Sequence, residues 1–193
     1  MQACIRMFFI PAVFYSLKEY LHIFEEQSML LFAHSLKELR FYDLMEIYVE
    51  GNREKARKDY RGETPERGIA LVEQDFYQYL RECFFPTPGA RYAVWIEKGK
   101  YVSALRLEPY RDGLLLAALE TAPDYRNKGY ATMLVRAVLS SLQKTKVYSH
   151  VNKGNIPSLK THAACGFNRI GEHAVYADGS VLHSSCTLCR EIE

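Results

Sequence analysis

Between residues 91 and 121 the chain is patterned as sheet three times in succession, and this run limits the fold more than any other feature. Arg91 to Glu97, Tyr101 to Glu108 and Leu114 to Thr121 read as strands. They are separated by Lys98-Gly99 and Asp112-Gly113, residue pairs that favour the tight turns of hairpins. Three strands so joined form an antiparallel meander. The third, Leu114-Leu115-Leu116-Ala117-Ala118-Leu119, is apolar at every position and therefore belongs in the middle of a sheet covered on both faces.

Helical spacing surrounds the meander. Thr64-Pro65 is a cap followed by proline, and Ile69, Val72, Phe76, Leu80 and Cys83 then mark one buried face. Ser35-Leu36-Lys37-Glu38 has the form of a capping box opening a helix through Leu39, Leu44, Met45 and Tyr48. Met29 to Ala33 reads as a short strand, and the polar run from Gly51 to Glu63 as part helix end, part loop. Downstream, Gly129 to Leu142 and Asn155 to Cys165 are helices. Lys146 to Val151, Phe167 to Tyr176 and Val181 to Arg190 are strands, the last two joined at Asp178-Gly179. The expected architecture is α/β, a mixed and mostly antiparallel sheet of six to seven strands flanked by helices. Pro11 to Glu26 has helical spacing of its own, so residues 1–28 are expected to be a helical extension and 29–193 one domain.

A chain of 193 residues can bury a core without staples. Its formal net charge of +2 provides no global field for nucleic acid or an anionic membrane, so an anionic ligand has to be held by a local device. Cys4, Cys83, Cys165, Cys186 and Cys189 are an odd, scattered set, which points to reduced thiols and a cytoplasmic protein. The apolar stretch from Met7 to Leu17 is broken by Pro11 and is too short to span a bilayer. Cys186-Thr187-Leu188-Cys189 lacks the second ligand pair of a closed zinc site and falls on a strand, so no metal is expected.

A local device of the required kind follows the central strand. After Thr121-Ala122-Pro123 comes Arg126-x-x-Gly129-x-Ala131, which leads directly into a helix. The first amides of a helix have no internal acceptor and carry the positive end of its dipole, so this turn can cradle a pyrophosphate. Gly129 permits close backbone approach, Ala131 leaves the following amides unshielded, and Arg126 and Lys128 add charge at the rim.

With a buried strand, the proline, the turn and an amphipathic helix in that order, the segment from Leu119 to Ala131 resembles the central strand and pyrophosphate loop of the GNAT superfamily of N-acetyltransferases. A second match lies at Asn155-Ile156-Pro157-Ser158, with His162 seven residues after Asn155 and Gly166-Phe167 closing the helix. The resemblance covers Met29 to the C-terminus and implies two central parallel strands that splay apart to admit pantetheine. It implies that Leu119, Glu120 and Thr121 pair with the pantetheine and that Arg126, Asn127, Lys128, Gly129, Tyr130 and Ala131 hold the pyrophosphate of acetyl-CoA. Asn155 and Ser158 would touch the pantetheine arm.

The family commonly has a tyrosine where His162 stands, as the acid for the departing thiolate. His162 is the expected replacement, and Glu120 the expected relay for the amine proton, with Glu108 and Tyr110 behind it. The acceptor, a small-molecule or peptide amine, is expected to enter beside Arg57 to Glu66 and the hairpin at Asp178, on a monomer or homodimer. The alternative is a CoA-binding regulatory module that keeps the cradle and has lost the chemistry.

Overall fold

The computed structural model describes residues 28–193. The proposed helix from Pro11 to Glu26, the extension to which it belongs and Cys4 fall outside them, except for Ser28. The central element is a seven-stranded sheet in the order β1-β2-β3-β4-β5-β9-β6. Its strands are β1 (Met29–Ala33), β2 (Arg91–Glu97), β3 (Lys100–Tyr110), β4 (Gly113–Thr121), β5 (Thr145–Asn152), β6 (Asn168–Gly171) and β9 (Ser185–Ile192). A separate two-stranded ribbon pairs β7 (Ala174–Val175) with β8 (Val181–Leu182). The strands expected at 167–176 and 181–190 are thus each divided between the sheet and the ribbon. The divisions fall at Glu172–His173 and His183–Ser184, just beyond a register shift within β6 between Arg169 and Gly171.

Every neighbouring pair in the sheet is antiparallel except β4 and β5, which run parallel. That pairing extends only from Gly113↔Lys146 to Leu116↔Ser149. Beyond it β4 continues for five residues and β5 for three with no ladder between them. The paired end is clamped from the β3–β4 turn. The Asp112 carboxylate accepts from Lys146 Nζ at 2.8 Å and from the Tyr148 hydroxyl at 2.5 Å. These bonds hold the Asp112 carboxyl down to about 2 and push the Tyr148 phenol up to about 12.

Both faces are covered. On one face α4 (Tyr130–Ser140) and α5 (Ile156–Ala164) bury Leu134, Val135, Val138 and Cys165 against Leu105, Leu107, Leu116 and Val147. On the other, α1 (Phe41–Ile47) and α3 (Pro65–Tyr79) cover Tyr92, Val94 and Ala104. Between them runs α2 (Val49–Asp59), which lies against α3 where Gly68 lets the chains approach Ala56. The Thr64 hydroxyl caps α3 by accepting from the Arg67 amide at 3.3 Å, with Pro65 in the first turn, where its missing N–H costs nothing.

Two local departures have identifiable causes. The expected Ser35 capping box does not form: the Ser35 side chain accepts from no helix amide, and its hydroxyl instead donates to the Glu38 carboxylate at 2.7 Å, which also accepts from the His34 amide at 3.0 Å. Only a 3-10 turn, Leu36–Glu38, follows, because Leu39 enters the core in extended conformation and the helix begins afresh at Phe41. At its far end α3 runs into a π turn, Leu80–Phe84, in which the Phe85 amide reaches back to the Leu80 carbonyl. The added residue shifts the buried face, so Phe84 lies in the core and Cys83 is exposed, the reverse of the helical expectation.

The tight turn before β4 is Arg111–Asp112, one residue earlier than the sequence suggested, and Gly113 is already paired in the sheet. A Cβ at Gly113 would lie 2.1 Å from the Lys146 carbonyl oxygen. Gly113→Ala is therefore expected to pry at the parallel β4–β5 ladder and to cost about 1–3 kcal/mol. Chemical denaturation measures this as a lowered midpoint.

Candidate active site

The end of the sheet opposite the Asp112 clamp is where β4 and β5 part, and β4 is deformed there. Ala104 pairs with Glu120 and Arg106 with Ala117, so Ala118 and Leu119 together face Leu105. This is a β-bulge, with Ala118 at φ 51°. The Ala118 carbonyl accepts from the Tyr48 hydroxyl at 2.9 Å, and the Tyr48 oxygen accepts from the Tyr92 hydroxyl at 2.9 Å. Burial pushes the Tyr92 phenol up to about 12, so it stays a neutral donor. Tyr48 joins α1 to α2, so these helices brace the bulge directly.

The last residues of β4 are capped by side chains. Thr121 N–H donates to its neighbour's carboxylate, Glu120 Oε1, at 3.2 Å, and the Thr121 carbonyl accepts from Arg126 Nε at 3.1 Å. The Arg126 guanidinium also meets Glu120 at 3.2 Å and Glu50 of α2 at 2.5 Å. Lys128 donates to the Asp124 carbonyl at 2.8 Å and lies 5.2 Å from the Tyr125 ring centroid. Both cations at the turn are thus engaged by neighbouring groups of the protein.

The turn itself is built on two left-handed residues. Asn127 has φ 60° and Gly129 φ 84°, both left-handed, and α4 begins at Tyr130. The first bond into the helix is donated by Met133 to the Gly129 carbonyl at 3.0 Å. The six amides from Asn127 to Thr132 have no acceptor among the described residues. A Cβ at Gly129 would meet nothing within 4 Å, so glycine is required by its φ and the space before it is open. Backbone N–H groups converging at a helix start form a nest for a diphosphate.

Asn155 caps α5, its side chain accepting from the Ser158 amide at 3.0 Å. His162 follows one turn later and is 1% exposed. Its Nδ1–H donates to the Ser158 carbonyl at 2.8 Å, and Phe167 packs edge-on against the ring at 5.1 Å. Nε2 is buried without a partner among the described residues. Burial holds the imidazole below its usual pKa, so the ring is neutral with its proton on Nδ1. To give a proton to a thiolate from Nε2 it would have to become a buried cation, which this environment opposes.

The face of the sheet on the α1 and α3 side carries groups that sequence reading passed over. Arg106 of β3 lies over Tyr79 and Phe84, with ring centroids at 5.1 and 5.6 Å. His150, just past the last residue of β5 that pairs with β4, contacts the Tyr110 and Tyr176 rings, and both its nitrogens are buried without a partner among the described residues. Burial, aided by the Arg111 charge, lowers the His150 pKa. The Tyr110 hydroxyl donates to the Val175 carbonyl and so ties the β7–β8 ribbon to this face. Alternation along β5 (Tyr148, His150 and Asn152 against Val147, Ser149 and Val151) is the only trace of His150 in the sequence. The segment from Arg57 to Glu66 forms the end of α2, the connecting turn and the start of α3. Asp178 caps its own turn through Ser180. Cys186 and Cys189 lie in different clusters on opposite faces of β9, as residues three apart on a strand must.

The sequence model of the acetyltransferase (GNAT) family matches residues 41–167, and the chain belongs to that family. Solved structures share its fold. They include the ribosomal-protein-S18-alanine N-acetyltransferase of Escherichia coli, with 16% identity over 85% of this chain and 94% of that one at TM-score 0.54. The PaiA N-acetyltransferase of Thermoplasma acidophilum, in complex with coenzyme A, has 11% identity over 85% and 99% at TM-score 0.56. The spermidine N-acetyltransferase of Vibrio cholerae, in complex with CoA and spermine, has 19% identity over 86% and 95% at TM-score 0.53. No curated protein matches the chain.

Because its folded pKa is depressed, His162 binds its proton more readily in the unfolded chain. Its contribution to stability is complete above the usual histidine value and is lost as pH falls from there through the folded value. His162→Phe is expected to flatten that fall while the protein remains folded at neutral pH. Thermal melts between pH 7.5 and 5 compare the two slopes.

Proposed function

We propose that the protein is an N-acetyltransferase that moves the acetyl group of acetyl-CoA to a primary amine by direct attack within a ternary complex. The observation that carries this reading is the row of six amides, Asn127 to Thr132, without an acceptor among the described residues, beside the end of the sheet where β4 and β5 have no ladder. A diphosphate at those amides would direct pantetheine along the open seam, with the thioester beside the bulge at Ala118. Asn155 and Ser158, at the start of α5, are suited to flank the pantetheine from the β5 side. Membership of a family of acetyltransferases supports the choice of acetyl donor.

The chemistry requires a neutral amine, a polarised carbonyl and a route for one proton. The amine nitrogen attacks the thioester carbon, a C–N bond forms, the C–S bond breaks and its electron pair leaves on sulfur. A main-chain N–H of β4, within Leu119 to Thr121, polarises the carbonyl. Glu120, held by Arg126 at the end of β4, draws the ammonium form of the acceptor towards the seam. His150 is neutral and uncommitted at both nitrogens, and it takes the proton that the nitrogen sheds as the C–N bond forms. A thiol titrates near 8.5, so CoA can leave as the thiolate without a protein acid. His162 then serves as a packed, neutral element of the pocket wall.

Two measurements test the reading. Acetyl-CoA at about a hundred times its dissociation constant is expected to stabilise the protein by about 2.7 kcal/mol, and no shift with any CoA ester would remove the proposal. In a thiol-release assay over an amine panel, His150→Gln is expected to lower kcat about 10²- to 10⁴-fold with acetyl-CoA binding retained. Unchanged kcat in that variant would return the base to Glu120.

A further inference from the structure

Resting on the acetyltransferase reading, we propose that the amine acceptor also carries a carboxylate, and that Arg106 is the residue that binds it. Arg106 stands on β3 directly opposite Ala117 of β4, next to the bulge and on the same side of the sheet as Tyr92. Its guanidinium is half-buried between the sheet and the Tyr79 and Phe84 rings. No carboxylate lies within salt-bridge distance of it among the described residues, and its Nε–H is buried with no acceptor.

This is an unusual condition for an arginine. Buried cations are normally paired, because removal from water costs several kcal/mol that only a counter-charge or a full set of hydrogen bonds offsets. The other two arginines near this end of the sheet show the normal pattern: Arg126 holds Glu50 and Glu120, and Arg40 holds Asp43. Around Arg106 the rings offer their faces and the phenols of Tyr48 and Tyr92 are turned to each other and to the Ala118 carbonyl. Glu108, two residues along the same face, is close enough to act on the guanidinium charge without bonding to it.

The Tyr79 side chain lies close enough to interact with the guanidinium, and Nε–H is left without an acceptor among the described residues; a planar fork so placed fits a carboxylate, which accepts two parallel N–H bonds. Glu120 and His150 stand at the parted strands and suit the amine end. The complementary ligand has an amine and a carboxylate on one short frame, as in amino acids. A polyamine would place a second cation against Arg106.

The test is a comparison of free acids with their amides. Purified full-length protein would be assayed with acetyl-CoA against amino acids, β- and ω-amino acids, the matching carboxamides, and spermidine. A free acid is expected to exceed its own amide in kcat/KM by about tenfold to a hundredfold, the range of a charged hydrogen-bonded pair. Arg106→Gln should bring that ratio close to one with the KM for acetyl-CoA unchanged, and Arg106→Lys should restore part of it. A purely structural arginine would lower both substrates together and leave the ratio alone. Melting curves confirm that each variant is folded. If Arg106→Gln unfolds, the Arg106→Lys ratio decides, because a point charge without the fork should lower it.

The inference is overturned by equal turnover of acids and amides, by preference for spermidine, by a ratio that survives in both variants, or by no turnover of any carboxylate-bearing amine although acetyl-CoA binds. Absence of acetyl-CoA binding to the unaltered protein would instead bring down the acetyltransferase reading beneath it.

Discussion

The parting of β4 from β5 after Leu116 and Ser149 is the constraint on which the rest of this molecule depends. A sheet gains from pairing every backbone group, and a central strand left half-paired exposes donors and acceptors that must be satisfied by something else. Three local features create the parting. Gly113 lets β4 come close enough to the Lys146 carbonyl to start a parallel ladder. The Asp112 clamp fixes that end. The bulge at Ala118, held by the Tyr48 hydroxyl, then turns the remainder of β4 off the line that β5 follows. The same sheet is therefore closed at one end and open at the other.

What stands at the open end is mostly backbone. Arg126 and Lys128 look from the sequence like phosphate ligands, yet each is taken up by neighbours, and the Arg126 network joins α2, β4 and the turn into one unit. The left-handed residues Asn127 and Gly129 and the start of α4 leave a row of N–H groups as the positive feature. This is consistent with a chain of formal charge +2, which has no broad field with which to gather anions. On the proposed reading, attraction is confined to the turn, with the surrounding ion pairs joining it to α2 and β4.

Much of this was legible in the residues. The meander, the central apolar strand and the turn before α4 follow from side-chain period and from where glycine and proline sit, and those signals are local. The bulge was not legible, because Ala118 is as apolar as its neighbours and only its pairing with β3 forces the positive φ. The π turn was hidden for a similar reason: the residues from Leu80 to Phe84 keep helical composition while the hydrogen bonds lengthen by one residue. Arg106 and His150 were missed because they are far apart in sequence, on strands whose relation depends on β5 lying beside β4 and away from its own neighbours in the chain. His162 could be located from Asn155 and Gly166-Phe167, but its neutral state depends on burial against Phe167, which spacing does not reveal.

The most direct test of the central claim is to titrate isotopically labelled protein with coenzyme A and follow each backbone amide by NMR. If the turn grips the diphosphate, the amide protons from Asn127 to Thr132 should move downfield together and saturate with one affinity, while those of the Gly113–Leu116 ladder stay in place. Saturable binding that leaves those six amides unmoved would contradict the claim and locate the nucleotide elsewhere on the molecule.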